Sequence, residues 1–408
     1  MPINTNDLIQ DVPIPVTPVT PVAPFNDIGL SITGLGTQYP KHRIGPEGLE
    51  ALADRFCQDT PNMRKVLAIN RKTGIASRPT VINMDHPLMT QMEPPTIEDQ
   101  HDLFMAEGLP LAISAARKAM ADARLEPSDI THLVATTCTD SCNPGYDHYV
   151  AKELGLPYTT ERVLLHGVGC SGGLAVLRTA ANLALGHTAR GQPARVLCVA
   201  LEVVSLLGRT ELAQIDKTQQ VRVGASLFSD GSSAVVLSND IGKQSRPIYQ
   251  LLGWEHALIP GVDDTLRFDV EPSGWRVTLS PLVPKITAAA IAPTFNKLMA
   301  KLPHLPPVCR EGSDFDWAMH PGGQAILKGT EQMMGVTEEH LRASYATYMT
   351  YGNSSSASVF SVMDRLRTKE MDAVVPGGRV RDHVVACAFG PAVTIEMFVM
   401  KRVVGLAN

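Results

Sequence analysis

Three residues stand in settings that suit acyl-transfer chemistry. Cys170 lies in G-V-G-C-S-G-G, where a strand-like run gives way to a long apolar helical run. A thiol at a helix N-terminus meets backbone amides and the positive end of the helix dipole, so its pKa is expected to fall. The glycines permit a sharp turn and close approach of a substrate. Most free cysteines are instead small buried hydrophobes, and only the glycine-flanked context sets Cys170 apart. His320 ends a strand-like run in W-A-M-H-P-G-G, and Asn353 precedes a helical run in Y-G-N-S-S-S-A-S. Alone, a histidine is as readily structural as catalytic, and an asparagine before a helix is ordinarily an N-cap. Together they supply a nucleophile that a neighbouring imidazole can activate. They also supply His and Asn donors that could hold a thioester carbonyl and stabilise an enolate formed by decarboxylation.

The chain has 408 residues, 44% hydrophobic and 19% charged, enough to bury a sizeable core and to exclude a disordered or fibrous protein. A formal net charge of −5 argues against gripping nucleic acid or an anionic membrane surface. No run approaches the ~18 apolar residues of a membrane span, and no secretory signal pattern opens the chain. Seven scattered cysteines, an odd count, read as free thiols in a reducing, cytoplasmic setting rather than a disulfide framework. The C-x-x-x-C spacing of Cys138 and Cys142 lacks further nearby ligands, so no metal site is expected there.

Residues 13–24, P-I-P-V-T-P-V-T-P-V-A-P, favour extended polyproline II, and residues 1–26 read as a flexible tail. From Ile28 strands and helices alternate, which argues α/β layers. The spacing predicts strands at 131–140, 162–169 and 195–204, a bent strand pair over 226–239, and a hairpin over 382–403 turned at Gly390-Pro391. Helices are expected at 109–127, after Cys170, over 286–302, after His320 and after Asn353. Small-residue turns beside helices recur in both halves, suggesting a duplication with units 27–250 and 251–408.

The text resembles a type III polyketide synthase of the chalcone synthase superfamily. The matching stretches are G-C-S-G-G-L-A-V-L-R (169–178), G-A-S-L-F-S-D-G-S-S-A-V-V-L (224–237), H-P-G-G-Q-A-I-L (320–327), Y-G-N-S-S-S-A-S (351–358) and F-G-P-A-V-T-I-E (389–396). They run in order over roughly residues 27 to 405. C-N-P-G-Y-D-H-Y-V (142–150) looks most like fungal members, of the alkylpyrone or alkylresorcylic acid synthase kind.

The resemblance implies a thiolase fold of five layers, αβαβα, built from two duplicated halves. It implies that Cys170 takes an acyl group from coenzyme A, while His320 and Asn353 hold malonyl-CoA during decarboxylation. The enolate then attacks the Cys170 thioester, and repetition grows a chain that cyclises. Phe228 matches a gatekeeper, and Ser355 and Cys138 match positions bordering the cavity. Asn143 matches a residue that reaches across a homodimer interface. Lys65 and Lys72 fall where relatives bind coenzyme A phosphates, although the basic position between them is Ala68 here; Gly322 and Ala325 would let pantetheine pass. No cofactor is implied beyond coenzyme A thioesters, which are substrates.

Departures from the plant pattern concern the cavity. Val277 replaces a second gatekeeper phenylalanine, Val204 and Leu207 replace two threonines, and Phe268 replaces a glycine. Each could be plain repacking of the interior. As a set they make the cavity more apolar, and an alkyl chain gains about 0.8 kcal/mol per buried methylene. A medium or long fatty acyl starter is therefore expected, with an alkylpyrone or alkylresorcinol-type product. The competing readings are a β-ketoacyl synthase of fatty-acid initiation, a papain-like protease and a non-catalytic acyl-binding protein of the same fold. Proline after His320, Ser-Gly-Gly-Leu after Cys170, and the retained triad disfavour these in turn.

Overall fold

The computed structural model describes residues 24–25, 27–375 and 380–403. The Pro-rich segment lies outside them except for Pro24. The chain is anchored by Phe25, whose N–H donates to the Lys301 carbonyl and whose ring packs on Trp254.

The strands in chain order are β1 (Ser31–Gln38), β2 (His42–Ile44), β3 (Arg78–Thr80), β4 (His132–Thr136), β5 (Glu161–Leu165), β6 (Arg195–Glu202) and β7 (Gly231–Ser238). They continue with β8 (Tyr249–Leu258), β9 (Leu266–Glu271), β10 (Gly274–Leu279), β11 (Asp316–Met319), β12 (His383–Gly390) and β13 (Thr394–Arg402). Nine form one sheet in the order β11-β12-β13-β8-β1-β7-β6-β4-β5. β1 and β8 meet only through Ser31–Gln250 and Ile32–Tyr249, so the sheet behaves as two half-sheets joined by a narrow seam.

Side-chain alternation along these strands creates the layers. Leu133, Ala135, Leu197, Val199 and Val236 face the outer helix Leu109–Asp122. Val134, Val196, Cys198, Val235 and Leu237 face a central core with helices Gly172–Thr188 and Ser358–Leu366. The same central core receives Val384, Ala386 and Ala388 from the second half-sheet. Val385, Cys387, Met397 and Val399 point away, against helix Val283–Ala300. Helix, half-sheet, helix pair, half-sheet, helix is the five-layered thiolase arrangement expected. Because both faces of each half-sheet are covered, the strands are near-continuous apolar runs, which is why they were legible.

The region 226–239 differs from its expected strand pair. Only Gly231–Ser238 is a strand; Gly224–Ser226 is a 3-10 turn, and Phe228 makes an isolated parallel bridge to Asn353. The local residues pair across the two halves rather than with each other. Among the described residues no helix is long and apolar enough to cross a membrane.

Glu211, on helix Leu207–Thr218, holds the turn before Phe228 by accepting the Ala225 N–H at 2.6 Å. Burial pushes its carboxyl up to about 7. A raised carboxyl pKa favours the protonated form in the folded state. Its contribution is therefore fully present below the unfolded value and lost as pH rises through about 7. Glu211→Gln should remove a penalty on the order of 3 kcal/mol above pH 8 and change little near pH 4. Urea midpoints against pH check this; an unchanged pH slope in the variant would contradict it.

Candidate active site

The chain reverses at the C-terminal ends of β4, β6 and β11 and at the N-termini of the two central helices. Cys170 sits in the 3-10 turn Gly169–Ser171 that opens helix Gly172–Thr188. Gly169 has φ +49°, and a Cβ there would come within 2.5 Å of Pro391, so only glycine fits the turn that presents the thiol. Ser355 precedes the other central helix with φ +46°, an uncommon conformation for a residue with a side chain. It brings Ser355 Oγ to 3.4 Å from both Cys170 Sγ and Cys138 Sγ.

Asn353 is held by its backbone: its N–H donates to the Leu227 carbonyl, and its carbonyl accepts from Ser229 N–H. Its Oδ1 accepts the Ser355 N–H at 2.8 Å, the capping role expected of it. That leaves its amide N–H groups to donate toward the Cys170 sulfur. His320 follows β11 and is 1% exposed, and neither ring nitrogen has a protein partner. A Cβ on Gly322 would lie 3.3–3.4 Å from the imidazole, so the residue two positions on can crowd the ring only because it lacks a side chain.

Burial pushes the Cys170 thiol up to about 11, against smaller lowering by the Ser355 and Asn353 donors. This reverses the expectation from the helix terminus: desolvation of a half-buried sulfur facing an apolar pocket outweighs the dipole. Burial likewise pushes His320 down to about 3. These shifts favour the neutral form of both groups.

A narrow pocket is lined by Cys138, Gly169, Cys170, Val204, Phe228, Leu266, Arg267, Phe268, Val277, Ser355 and Pro391. Val204, Leu207 and Val277 form one buried apolar cluster against which Phe228, Phe268 and Leu279 pack. Phe268 comes from β9 and Val277 from β10, which pair directly opposite each other, and Phe268 stacks on Trp275 at 5.1 Å. Leu207 lies just beyond, in a second narrow pocket that shares Val204 and Phe228 with the first. Lys65 and Lys72 are exposed on helix Pro61–Lys72, Ala325 on the surface of helix Gln324–Met334, and Asn143 on the surface beside Pro144; none lines the cavity.

Glu202 had no place in the sequence reading. At the end of β6 it is fully buried, and its carboxylate accepts the Cys138 N–H at 3.1 Å and Thr139 Oγ1–H at 3.0 Å. It also accepts from Ser356 Oγ and from the Cys138 thiol at 3.3 Å. Burial raises its pKa. A lone acid closing the apolar run R-V-L-C-V-A-L-E was the signal available for it. All seven cysteines are free thiols.

Residues 29–241 match chalcone and stilbene synthases, N-terminal domain, and residues 250–404 match their C-terminal domain. The chain belongs to the chalcone and stilbene synthase family. It is 40% identical over 392 residues to the type III polyketide synthase pspB of Penicillium soppii, covering 92% of this chain and 96% of that one. It is 37% identical over 387 residues to the acylalkylpyrone synthase csyB of Aspergillus oryzae, covering 93% and 96%. A solved type III pentaketide synthase from Neurospora crassa is 57% identical with a TM-score of 0.91, over 92% of this chain and all of that one. The protein is thus a type III polyketide synthase, an acyltransferase with a thiolase-like fold.

Proposed function

We propose that this synthase loads a medium- or long-chain fatty acyl group from coenzyme A onto Cys170. It then condenses malonyl-CoA onto that group repeatedly and closes the product to an alkylpyrone or a resorcinol or resorcylic acid type ring. The observation that carries the starter class is the merging of Val204, Leu207 and Val277 into one buried apolar cluster behind the thiol. Leu49, Leu52, Met89 and Leu207 continue this apolar surface into the adjoining pocket, which Arg78 and Asp230 also line.

In this reading neutral His320 takes the Cys170 proton as the sulfur attacks the acyl carbonyl, and free coenzyme A leaves. His320 and Asn353 then donate to the malonyl thioester oxygen, which carries the charge released as carbon dioxide departs. The enolate carbon attacks the Cys170 thioester; the new C–C bond forms, the Cys170 thiolate is expelled, and it then takes the lengthened acyl group back from coenzyme A, which leaves, for the next turn. Each turn extends the chain by two carbons. No cofactor is required beyond the coenzyme A thioesters. Lys65 and Lys72 would meet coenzyme A phosphates at the entrance, with Gly322 and Ala325 beside the pantetheine. A relative of this chain, CsyB, has been solved complexed with coenzyme A, which fits that path. The enzyme would act as a cytoplasmic homodimer with Asn143, exposed on its own chain, reaching toward the partner.

Val277 is 4% exposed and its cluster sets the depth available. Val277→Phe should shorten the preferred starter. Each methylene excluded from apolar surface costs about 0.8 kcal/mol, close to fourfold in kcat/KM. The test is mass-spectrometric product profiling with malonyl-CoA across a series of saturated acyl-CoA starters and coumaroyl-CoA. Wild type should prefer fatty starters, and the variant shorter ones. Equal or better turnover of coumaroyl-CoA by wild type would overturn the starter class; an unchanged profile in the variant would overturn the assignment of Val277.

A further inference from the structure

The opposite end of the central helix carries a second cluster with no part in the site above. His132 opens β4, Glu161 opens the neighbouring edge strand β5, and His187 lies in the last turn of helix Gly172–Thr188. His132 and Glu161 are direct partners in the parallel register. The Nε2 atoms of His132 and His187 are 3.1 Å apart, and each lies 3.9 Å from a Glu161 carboxylate oxygen. At ~1.5 Å rise per residue His187 lies about 23 Å along the helix from its first residue, Gly172, which follows the Cys170 turn.

We propose that His132, His187 and Glu161 form a divalent-cation site of the zinc type that ties β4, β5 and the end of the central helix together. Two metal–nitrogen bonds of about 2.05 Å spanning the observed gap enclose an angle of about 98°, close to tetrahedral. Thr131 Oγ1 accepts the Arg195 N–H at 2.9 Å, lies 3.1 Å from the Arg195 carbonyl and 2.7 Å from His132 Nδ1. With its hydroxyl hydrogen on the carbonyl, Nδ1 carries the His132 proton and Nε2 presents a lone pair to His187, the tautomer a metal would select. His132 is 1% exposed, and burial, then His187, lowers its pKa. Among the described residues His187 Nδ1 has no hydrogen-bond partner, so it can carry the His187 proton while Nε2 faces the metal.

Glu161 is 64% exposed and can swing its carboxylate the fraction of an ångström needed for a third bond, leaving the fourth position to water. The plainer reading, a hydrogen bond between the two rings, makes no use of Glu161. No short-range motif links the three, since they lie on three elements brought together only by the fold.

The test uses the full chain, freed of metal and titrated with zinc, with cobalt as the spectroscopic probe. The proposal expects one zinc retained per chain and a Tm raised by about 5 °C at saturating metal. It expects cobalt d–d bands without thiolate charge transfer, which separates this site from the free cysteines. Glu161→Gln should weaken zinc binding about tenfold or more, and His187→Gln should abolish it, with malonyl-CoA turnover unchanged in both as the control for folding. No zinc-dependent Tm shift, thiolate charge-transfer bands, or unchanged affinity in Glu161→Gln would each overturn the proposal. Because Glu161 is exposed, that variant decides the question even if His187→Gln fails to fold.

Discussion

Cys170→Ala should lower polyketide formation by at least about 10⁴-fold, because no other group can carry the acyl chain through successive condensations. The neighbouring thiol, Cys138, is no substitute. Burial and the adjacent Glu202 carboxylate raise its pKa well above the usual thiol range. Its hydrogen donates to Glu202 at 3.3 Å. The variant should still release carbon dioxide slowly from malonyl-CoA, since His320 and Asn353 hold their places through the backbone rather than through the sulfur. His320→Ala should lose both steps. Steady-state product formation, measured beside radiolabelled carbon dioxide release, separates the two. Undiminished product from Cys170→Ala would remove Cys170 from the mechanism.

Glu202→Ala should carry the largest stability loss among residues around the site, on the order of 3–5 kcal/mol. The buried carboxylate satisfies a backbone N–H, three hydroxyls and a thiol. Truncation leaves these donors unpaired and opens a void. It also frees Ser356, next to the strained Ser355 that spans Cys138 and Cys170. Activity should therefore fall with stability. Glu202→Gln keeps the shape and one acceptor oxygen, so it should lose less. Chemical denaturation of both variants checks this; equal stability of Glu202→Ala and wild type would show that the donors find other partners.

The layers were legible because strands buried on both faces leave unbroken apolar runs, and each core helix leaves its own period. Cys170, Asn353 and His320 were legible because small residues crowd the turns that present them. The cavity set was legible only through the family resemblance: nothing in the spacing of Val204, Leu207, Phe228, Phe268 and Val277 shows that two half-sheets and a hairpin bring them to one place. The same limit hid Glu202, whose partners come from four separate positions. It also gave the wrong direction for the Cys170 thiol. The helix terminus is a local feature readable from sequence, whereas the apolar surroundings that desolvate the sulfur depend on Ser355, Phe228 and Pro391 arriving from elsewhere. The strand pair expected around Asp230 failed for a related reason. Phe228 pairs with Asn353 of the other half, a contact that local alternation cannot report.

Intact-protein mass spectrometry after brief incubation with a fatty acyl-CoA, without malonyl-CoA, tests the central claim most directly. Wild type should gain the mass of one acyl group, mapped to the peptide carrying Cys170, and addition of malonyl-CoA should discharge it as product. Cys170→Ala should gain nothing. An acyl group found elsewhere, or none on wild type while product still forms, would contradict a Cys170-bound fatty acyl intermediate.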